Sequence, residues 1–600
     1  MTSEPLVGTA ETEYGSRLAQ RQAAADRQRL QGARVADARL ITFLVAIAMA
    51  LLAIGRGSIH WAWILVPVGV FLALVVGSER LKRALHRSER AVEFYRRGLG
   101  RLDGSWPGQG VGGDRFASEQ HPYSADLDLF GRGSLFERLC IARTRAGEET
   151  LAAWLRGPAE PDVIEARQEA VIELAPRLDL REDVELLGAD VREGIDPDAL
   201  SHWGVEPRVL GSRLEAWVAH GLSVLAVIGV ILWATTELGI LLLFLVIFAE
   251  LAFSYRVKEK LHRVLAPLSR RTHDLVLLSE LLGRIEREPF EASELRRLQQ
   301  ALSCEGEPAS RRIARLARLL NTLEMRQNQF FAPFAALLLW GYHFGRRIDE
   351  WRATTGPSIR GWLETAGQFE ALSSLAAYRY ENPRDVFPEV TAGPASFEAT
   401  QLGHPLIPNA ECVRNEIRLG TDPCVLLVSG SNMSGKSTIL RTVGVSAVLA
   451  MAGAPVRAAS LRLSVMTIGA TLRVQDSLQA GRSRFYAEIT RIRELVALAE
   501  GPRPLLFLLD EIFHGTNSHD RVIGASAVVR GLIDRGAIGL VTTHDLALAA
   551  LADELAPRAC NVHFEDQLVE GTMQFDYRMH PGVVRHSNAL ALMRAVGLDV

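Results

Sequence analysis

Four apolar runs interrupt an otherwise mixed chain, the first two of them without a charged residue. Residues 40–55 (LITFLVAIAMALLAIG) and 61–77 (WAWILVPVGVFLALVVG) form one close pair. A second tract, 217–253, is broken by ATTELG and divides into runs 217–234 and 238–253. Each run is at the short end of what crosses a bilayer as a helix. The short connections predict two transmembrane helical hairpins. Arg80, Lys82, Arg83, Arg87, Arg90, Arg96 and Arg97 follow the first pair, and Arg256, Lys258, Lys260 and Arg263 follow the second. The tips carry only Arg56 and His60, or Glu237. That asymmetry places both ends of each hairpin in the cytoplasm. Trp61, Trp63, Trp217 and Trp233 fall near the expected interfaces, where amphipathic rings settle. The competing reading is a set of buried core helices. The 39 mostly polar residues ahead of the first run argue against a cleavable signal. A fifth apolar stretch, 330–340, is short and contains Pro333, and predicts a buried helix.

Elsewhere the period is helical up to residue 383. Residues 1–39 mix Arg, Gln and Ala and read as helical or disordered, and Gly-, Ser- and Pro-rich residues 98–125 read as a linker. Leu and Ala recur every three to four residues from 127 to about 215 and again from 254 to 381. Beyond Glu381-Asn382-Pro383, short β-branched runs bounded by Gly and Pro alternate with helical patterns, predicting an α/β sheet. The expected partition is an N-terminal cytoplasmic segment 1–39, hairpin 40–77, basic segment and linker 78–126, helices 127–216, hairpin 217–253, helices 254–383 and an α/β domain 384–600.

A chain of 600 residues needs several domains. Its formal net charge of −3 leaves no overall nucleic-acid footprint. Five scattered cysteines without a CxxC indicate neither a disulfide framework nor a zinc site, and suit a reducing compartment.

The chemistry lies in the last third. Gly430, Ser431, Asn432, Met433, Ser434, Gly435, Lys436 and Ser437 match G-x-x-x-x-G-K-[ST], directly after the run VLLVS. Such a loop turns successive backbone N–H groups into one concavity that binds phosphate oxygens, and the helix that follows offers its positive dipole end. Lys436 is expected to reach the β- and γ-phosphates, and Ser437 to ligate Mg²⁺, with Thr438 completing the binding loop. LLFLLDE (505–511) reads as a buried parallel strand ending in two acids. Asp510 is expected to hold the metal and Glu511 to polarise the attacking water. In LVTTHD (540–545), His544 falls at a strand end where it could meet the γ-phosphate or the water. The expected fold class is an α/β P-loop NTPase domain, a mostly parallel sheet with flanking helices, following an all-α region with two transmembrane hairpins.

These residues carry a resemblance. Residues 400–600 resemble the ATPase domain of the MutS family of DNA mismatch-repair proteins. That family's loop usually reads G-P-N-M-G-G-K-S-T; Ser431 and Ser434 depart from it, while Asn432 and Met433 agree. Gly403-His404-Pro405-Leu406 resembles its R-H-P-L segment. Asp476 and the stretch Gly481-Arg482-Ser483-Arg484-Phe485-Tyr486-Ala487-Glu488 resemble its D-D and G-R-S-T-F-x-x-E segments. Asp510-Glu511 followed by Gly515-Thr516-Asn517 resembles D-E-x-x-x-G-T-S, and Asn561-Val562-His563-Phe564 with His580-Pro581-Gly582 resembles a C-terminal N-V-H-F…x-P-G pattern. The resemblance implies ATP and Mg²⁺ as cofactors and a homodimer through the ATPase domain. It also implies a signature contributed in trans by Ser483 and Glu488. It further implies that the helices from 127 to 383 form a reduced lever. Where that family has a mismatch-reading domain and a DNA clamp, this chain has its two hairpins. Arg484 replaces the small Thr of the S-T pair. Cys412 or Val413 stands where an aromatic often stacks on adenine.

The expectation is therefore a membrane-anchored MutS-like ATPase with its soluble parts in the cytoplasm, lipid as a partner and no small-molecule cargo. DNA stays open as a partner: the resemblance favours it, while the missing clamp and near-neutral charge oppose it. An ATP-driven transporter and a nucleotide-bound scaffold without turnover are the alternatives.

Overall fold

A computed structural model describes residues 7–56, 60–192, 197–236, 239–268, 272–431, 434–472, 484–513, 517–569 and 572–584. The chain divides into two compact units, Met1–Gly110 with Tyr380–Arg384, and Val111–Arg379 with Asp385–Val600.

In the first unit the helices Val7–Arg56 and Leu65–Asp103 run antiparallel. Arg17 reaches Tyr95, Arg29 pairs with Glu89 and Arg39 donates to Ser78. The polar residues ahead of the first apolar run are thus helical from residue 7 onward, continuous with that run. Tyr14 packs between Tyr95 and Tyr380 and against Gly98, where a Cβ would collide with its ring. Arg101 grips Glu381 through two nitrogens, the shorter contact 2.7 Å. Both side chains are withdrawn from solvent, a setting in which the geometry of an ion pair decides its worth.

The second unit begins with a correction to the predicted linker. The first unit's second helix already extends to Asp103, and Tyr123, Leu127 and Leu129 are buried. Helices Arg145–Arg156, Pro161–Leu174, Leu178–Arg192, Thr272–Glu286, Ala309–Glu324 and Ile359–Glu381 bury the Leu and Ala stripes that predict them. Between them Arg213–Thr235 and Gly239–Leu265 form a second antiparallel pair, with Gly229 against Leu243 and Lys260 bonded to Glu215 at 2.7 Å. Among the described residues, four helices, two in each unit, are long and apolar enough to cross a membrane, and their apolar windows are only 0–22 % buried. They are therefore not core helices of this chain.

The stretch 330–340 is also not the predicted buried helix. It forms a one-turn bend and the short helix Ala332–Leu337, with Phe330 89 % and Phe334 60 % exposed.

A two-residue ladder, β1 (Ser303–Cys304) with β2 (Glu307–Pro308), interrupts the helices. The C-terminal part then holds two sheets. The smaller comprises β3 (Glu389–Thr391), β4 (Phe397–Leu402), β5 (Asn415–Leu419) and β7 (Ser460–Ser464), in the order β3-β7-β4-β5. The larger comprises β6 (Val425–Ser429), β8 (Thr467–Thr471), β9 (Leu505–Asp510), β10 (Ile538–Thr543), β11 (Ala559–Val569) and β12 (Thr572–Pro581), in the order β12-β11-β6-β10-β9-β8. All its pairs are parallel except β11 with β12. Strands β6, β9 and β10 are almost wholly buried, as unbroken apolar runs require when helices cover both faces. Residues 122–126 extend the β8 side: Ala470 N–H donates to Pro122 at 2.9 Å and Leu472 N–H to Asp126 at 2.7 Å.

Candidate nucleotide-binding site

Register places the chemistry. Val428 pairs with Thr542, Ser429 with Thr543, and Thr542 with Asp510, so three parallel strands finish together at one edge. Ligands in open α/β sheets bind at that carboxyl edge.

The loop leaves β6 through Gly430, at φ +150°, and enters the helix Lys436–Ala452 through Gly435, at φ +107°. Both are in the left-handed region that glycine adopts without strain. A Cβ on Gly430 would also lie 2.8 Å from Ser434 Oγ. Buried Ser434 donates to Ser431 O at 2.8 Å, so the two serines are joined within the loop. Lys436 is buried and donates to the carbonyls of Gly430 at 2.7 Å and Ser431 at 2.9 Å. The hydroxyl of Ser431 is buried without a partner among the described residues.

Opposite the loop, Ser437 Oγ donates to Asp510 Oδ2 at 2.6 Å. Glu511 has φ +47°, an uncommon conformation for a non-glycine residue. It is secured by its N–H donating to Thr542 Oγ1 at 3.0 Å, and the same hydroxyl donates to Asp510. Glu511 Oε1 lies 3.5 Å from Lys436 Nζ and 3.5 Å from His544 Nδ1. Lys436, Ser437, Asp510, Glu511 and His544 are thus brought together from three segments. Thr542 is the member that sequence reasoning passed over; its signal was the polar pair closing an apolar strand.

The residues fit the expected ligands. A helix N-terminus, a buried ammonium and an unmet hydroxyl suit phosphate oxygens. One hydroxyl and one carboxylate suit Mg²⁺, which keeps waters and phosphate oxygens as its other ligands. No cluster of three or more His, Cys, Asp or Glu side chains able to hold a metal occurs among the described residues.

A cavity of about 280 Å³ adjoins Gly435 and Thr438. Val413 lines it, whereas Cys412 turns its thiol toward the His404 carbonyl. Tyr577 and Phe564 supply its aromatic surface, and the Tyr577 ring would lie 3.3 Å from a Cβ on Gly435. Tyr577 has φ +55° and is held through Asn415, which donates to its carbonyl at 3.0 Å and accepts Met579 N–H at 2.7 Å. This aromatic was missed in the sequence because it arrives from β12, remote from the loop. His404 also lines the cavity, and burial pushes its imidazole down to about 4.

Glu488 is buried and accepts Phe513 N–H within its own domain. Asn432, Met433, Asp476, Gly481, Arg482, Ser483, Gly515 and Thr516 lie outside the described residues.

A parallel sheet with a glycine loop, lysine and acidic strand at its carboxyl edge defines a P-loop NTPase-type domain. Residues 426–599 match the family model "MutS domain V". "Endonuclease MutS2" of Thermus thermophilus is 31% identical over 244 residues, 39% of this chain and 30% of that protein. "DNA mismatch repair protein MutS 2" of Halobacterium salinarum is 35% identical over 199 residues, 32% of this chain and 23% of its own. "DNA mismatch repair protein MutS" of Exiguobacterium sp. is 35% identical over 185 residues, covering 30% and 22%. Residues 426–599 are therefore a MutS domain V by sequence, and the comparisons place the rest of the chain in no family. The chain spans less than a third of the length of these relatives.

Proposed function

We propose that this protein is a membrane-anchored MutS-type ATPase that binds Mg²⁺–ATP at the edge of its parallel sheet and hydrolyses it. The observation that carries this reading is the meeting of Ser437 with Asp510 and of Lys436 with Glu511 at one strand edge. Loop amides and Lys436 would neutralise the triphosphate, and the cavity beside Gly435 would take the base, with Tyr577 as its stacking face. Ser437 and Asp510 would hold Mg²⁺, which supplies charge neutralisation at the γ-phosphate. Glu511 would orient the attacking water, with His544 beside it, so that catalysis rests on positioning and electrostatics. Dimerisation through the ATPase domains and movement of the helical part as a lever extend the reading through the resemblance set out in the sequence, and action on DNA extends it by analogy with the relatives' names. Anchoring is supported by the four exposed apolar helices and the basic residues after each pair.

Steady-state phosphate release by the purified full chain in nanodiscs tests the proposal. Mg²⁺-dependent turnover that Lys436→Ala abolishes is expected; equal rates in wild type and variant refute it. A salt-titrated gel shift with duplex, branched and mismatched DNA tests the DNA extension separately.

A further inference from the structure

The exposed stretch around Phe330 and Phe334 sits beside one of the proposed spans. Ser223 lies in the apolar run 217–234, and its hydroxyl donates to the Leu338 carbonyl at 3.1 Å. The same oxygen is 3.2 Å from His343 Nε2. Phe253, at the end of the returning span, stacks edge-on against Tyr342 at 5.0 Å. Gly345 leaves room for Leu261. The Glu215–Lys260 ion pair marks the polar end of this hairpin. Ser223 is eight residues further into the apolar run, about 12 Å along a helix. Residues 338–343 are therefore held at a depth where the hairpin is already apolar.

Composition and backbone both suit that depth. From 327 to 345 there is no Asp, Glu, Lys or Arg, while Arg326 precedes and Arg346 and Arg347 follow. Irregular backbone survives in lipid only where its polar groups are satisfied internally. Asn328 accepts Phe330 N–H on its side chain and the N–H groups of Phe331 and Ala332 on its carbonyl. Pro333 has no N–H to satisfy. The Ala335, Leu338 and Leu339 N–H groups are paired within the segment, and the Leu338 carbonyl takes the Ser223 hydroxyl. Trp340 donates its indole N–H to Thr322 at 2.9 Å.

We infer that residues 329–339 form a half-inserted membrane element, which dips into the acyl chains beside the second hairpin from the cytoplasmic side and returns without crossing. The inference rests on the membrane reading proposed above. Its occupant is lipid because Phe330 and Phe334 are exposed on a segment bonded to the hairpin through Ser223, and the hairpin's own Phe244, Phe248 and Leu251 are exposed as well. Burying a Phe side chain in acyl chains is favourable because it removes apolar surface from water. The element would tie the helix Trp340–Thr355 to the bilayer independently of the hairpin.

The test replaces Phe334, and separately Phe330, by the photocrosslinking residue p-benzoylphenylalanine in the full chain. Each protein is reconstituted in phosphatidylethanolamine–phosphatidylglycerol liposomes and illuminated, and peptides are read by mass spectrometry. The same replacement at Phe244 reports the hairpin, and at Tyr486, exposed on the α/β domain, the aqueous phase. Lipid adducts at 334 and 330 within about threefold of the yield at 244, with none at 486, are expected. Adducts at 244 but not at 334 or 330, or crosslinks from 334 to protein alone, overturn the half-inserted element and leave the hairpin standing. No adduct at any of the three sites removes the membrane reading as well.

Discussion

Ser437 donates a 2.6 Å hydrogen bond to Asp510, and the two residues are 73 positions apart in the chain. Their meeting closes the loop of β6 onto the end of β9. It brings together a hydroxyl and a carboxylate, the proposed Mg²⁺ ligands, from segments that neither strand alone could bring together. Ser437→Ala removes one of the two and is expected to raise the Mg²⁺ concentration for half-maximal turnover about tenfold or more, measured as phosphate release against metal. An unchanged Mg²⁺ dependence would show that Ser437 does not bear on the metal.

Glu511 and Thr542 make a second dependent pair. Glu511→Gln is expected to keep ATP affinity within about threefold while turnover drops at least a hundredfold. Thr542→Val takes away the hydroxyl that receives Glu511 N–H and donates to Asp510. Losing hydrogen bonds to positioned acids corresponds to about 1.5–3 kcal/mol, or roughly ten- to a hundredfold in turnover. Thr542→Ser should restore most of it, whereas a purely packing role for the methyl group would leave Ser as impaired as Val.

Tyr577 predicts a change in affinity. Removing a base-stacking aromatic is worth about 1–3 kcal/mol. Tyr577→Ala is expected to weaken ATP binding about five- to a hundredfold by calorimetry, with kcat changed much less, and Tyr577→Phe should bind as wild type. If Tyr577→Ala binds ATP normally, the base lies elsewhere.

Glu370 sets a pH dependence of stability. Burial pushes its carboxyl up to about 7, against hydrogen bonds from Thr144 and the Arg143 N–H that favour the ionised form. The folded state then holds a proton between about 4.5 and 7 that the unfolded chain has released. Stability attributable to this group is therefore greatest at the acid end of that window and declines as pH rises through it, by on the order of 3 kcal/mol. Glu370→Gln should flatten the decline, seen as a smaller difference in thermal midpoint between pH 5 and pH 7.5 in detergent. An identical pH profile in wild type and variant would refute the assignment.

Local patterns determined much of this protein. The glycine–lysine loop, the apolar run ending in Asp510-Glu511 and the four apolar runs each state their structure within a few residues, because backbone freedom, strand burial and hydropathy are local properties. What tertiary structure decided was everything that depends on who lies alongside. The packing of residues 122–129 against β8 comes from buried side chains and an edge that composition does not show. Tyr577 reaches the cavity because the β11–β12 hairpin folds over Gly435. Glu488 turns inward to meet Phe513. The stretch 330–340 looks the same in hydropathy whether it faces a core or not; the fold leaves Phe330 and Phe334 exposed and bonds Leu338 to Ser223 of the run 217–234. A sequence records how apolar a segment is, but the choice of which surface covers it is made by packing.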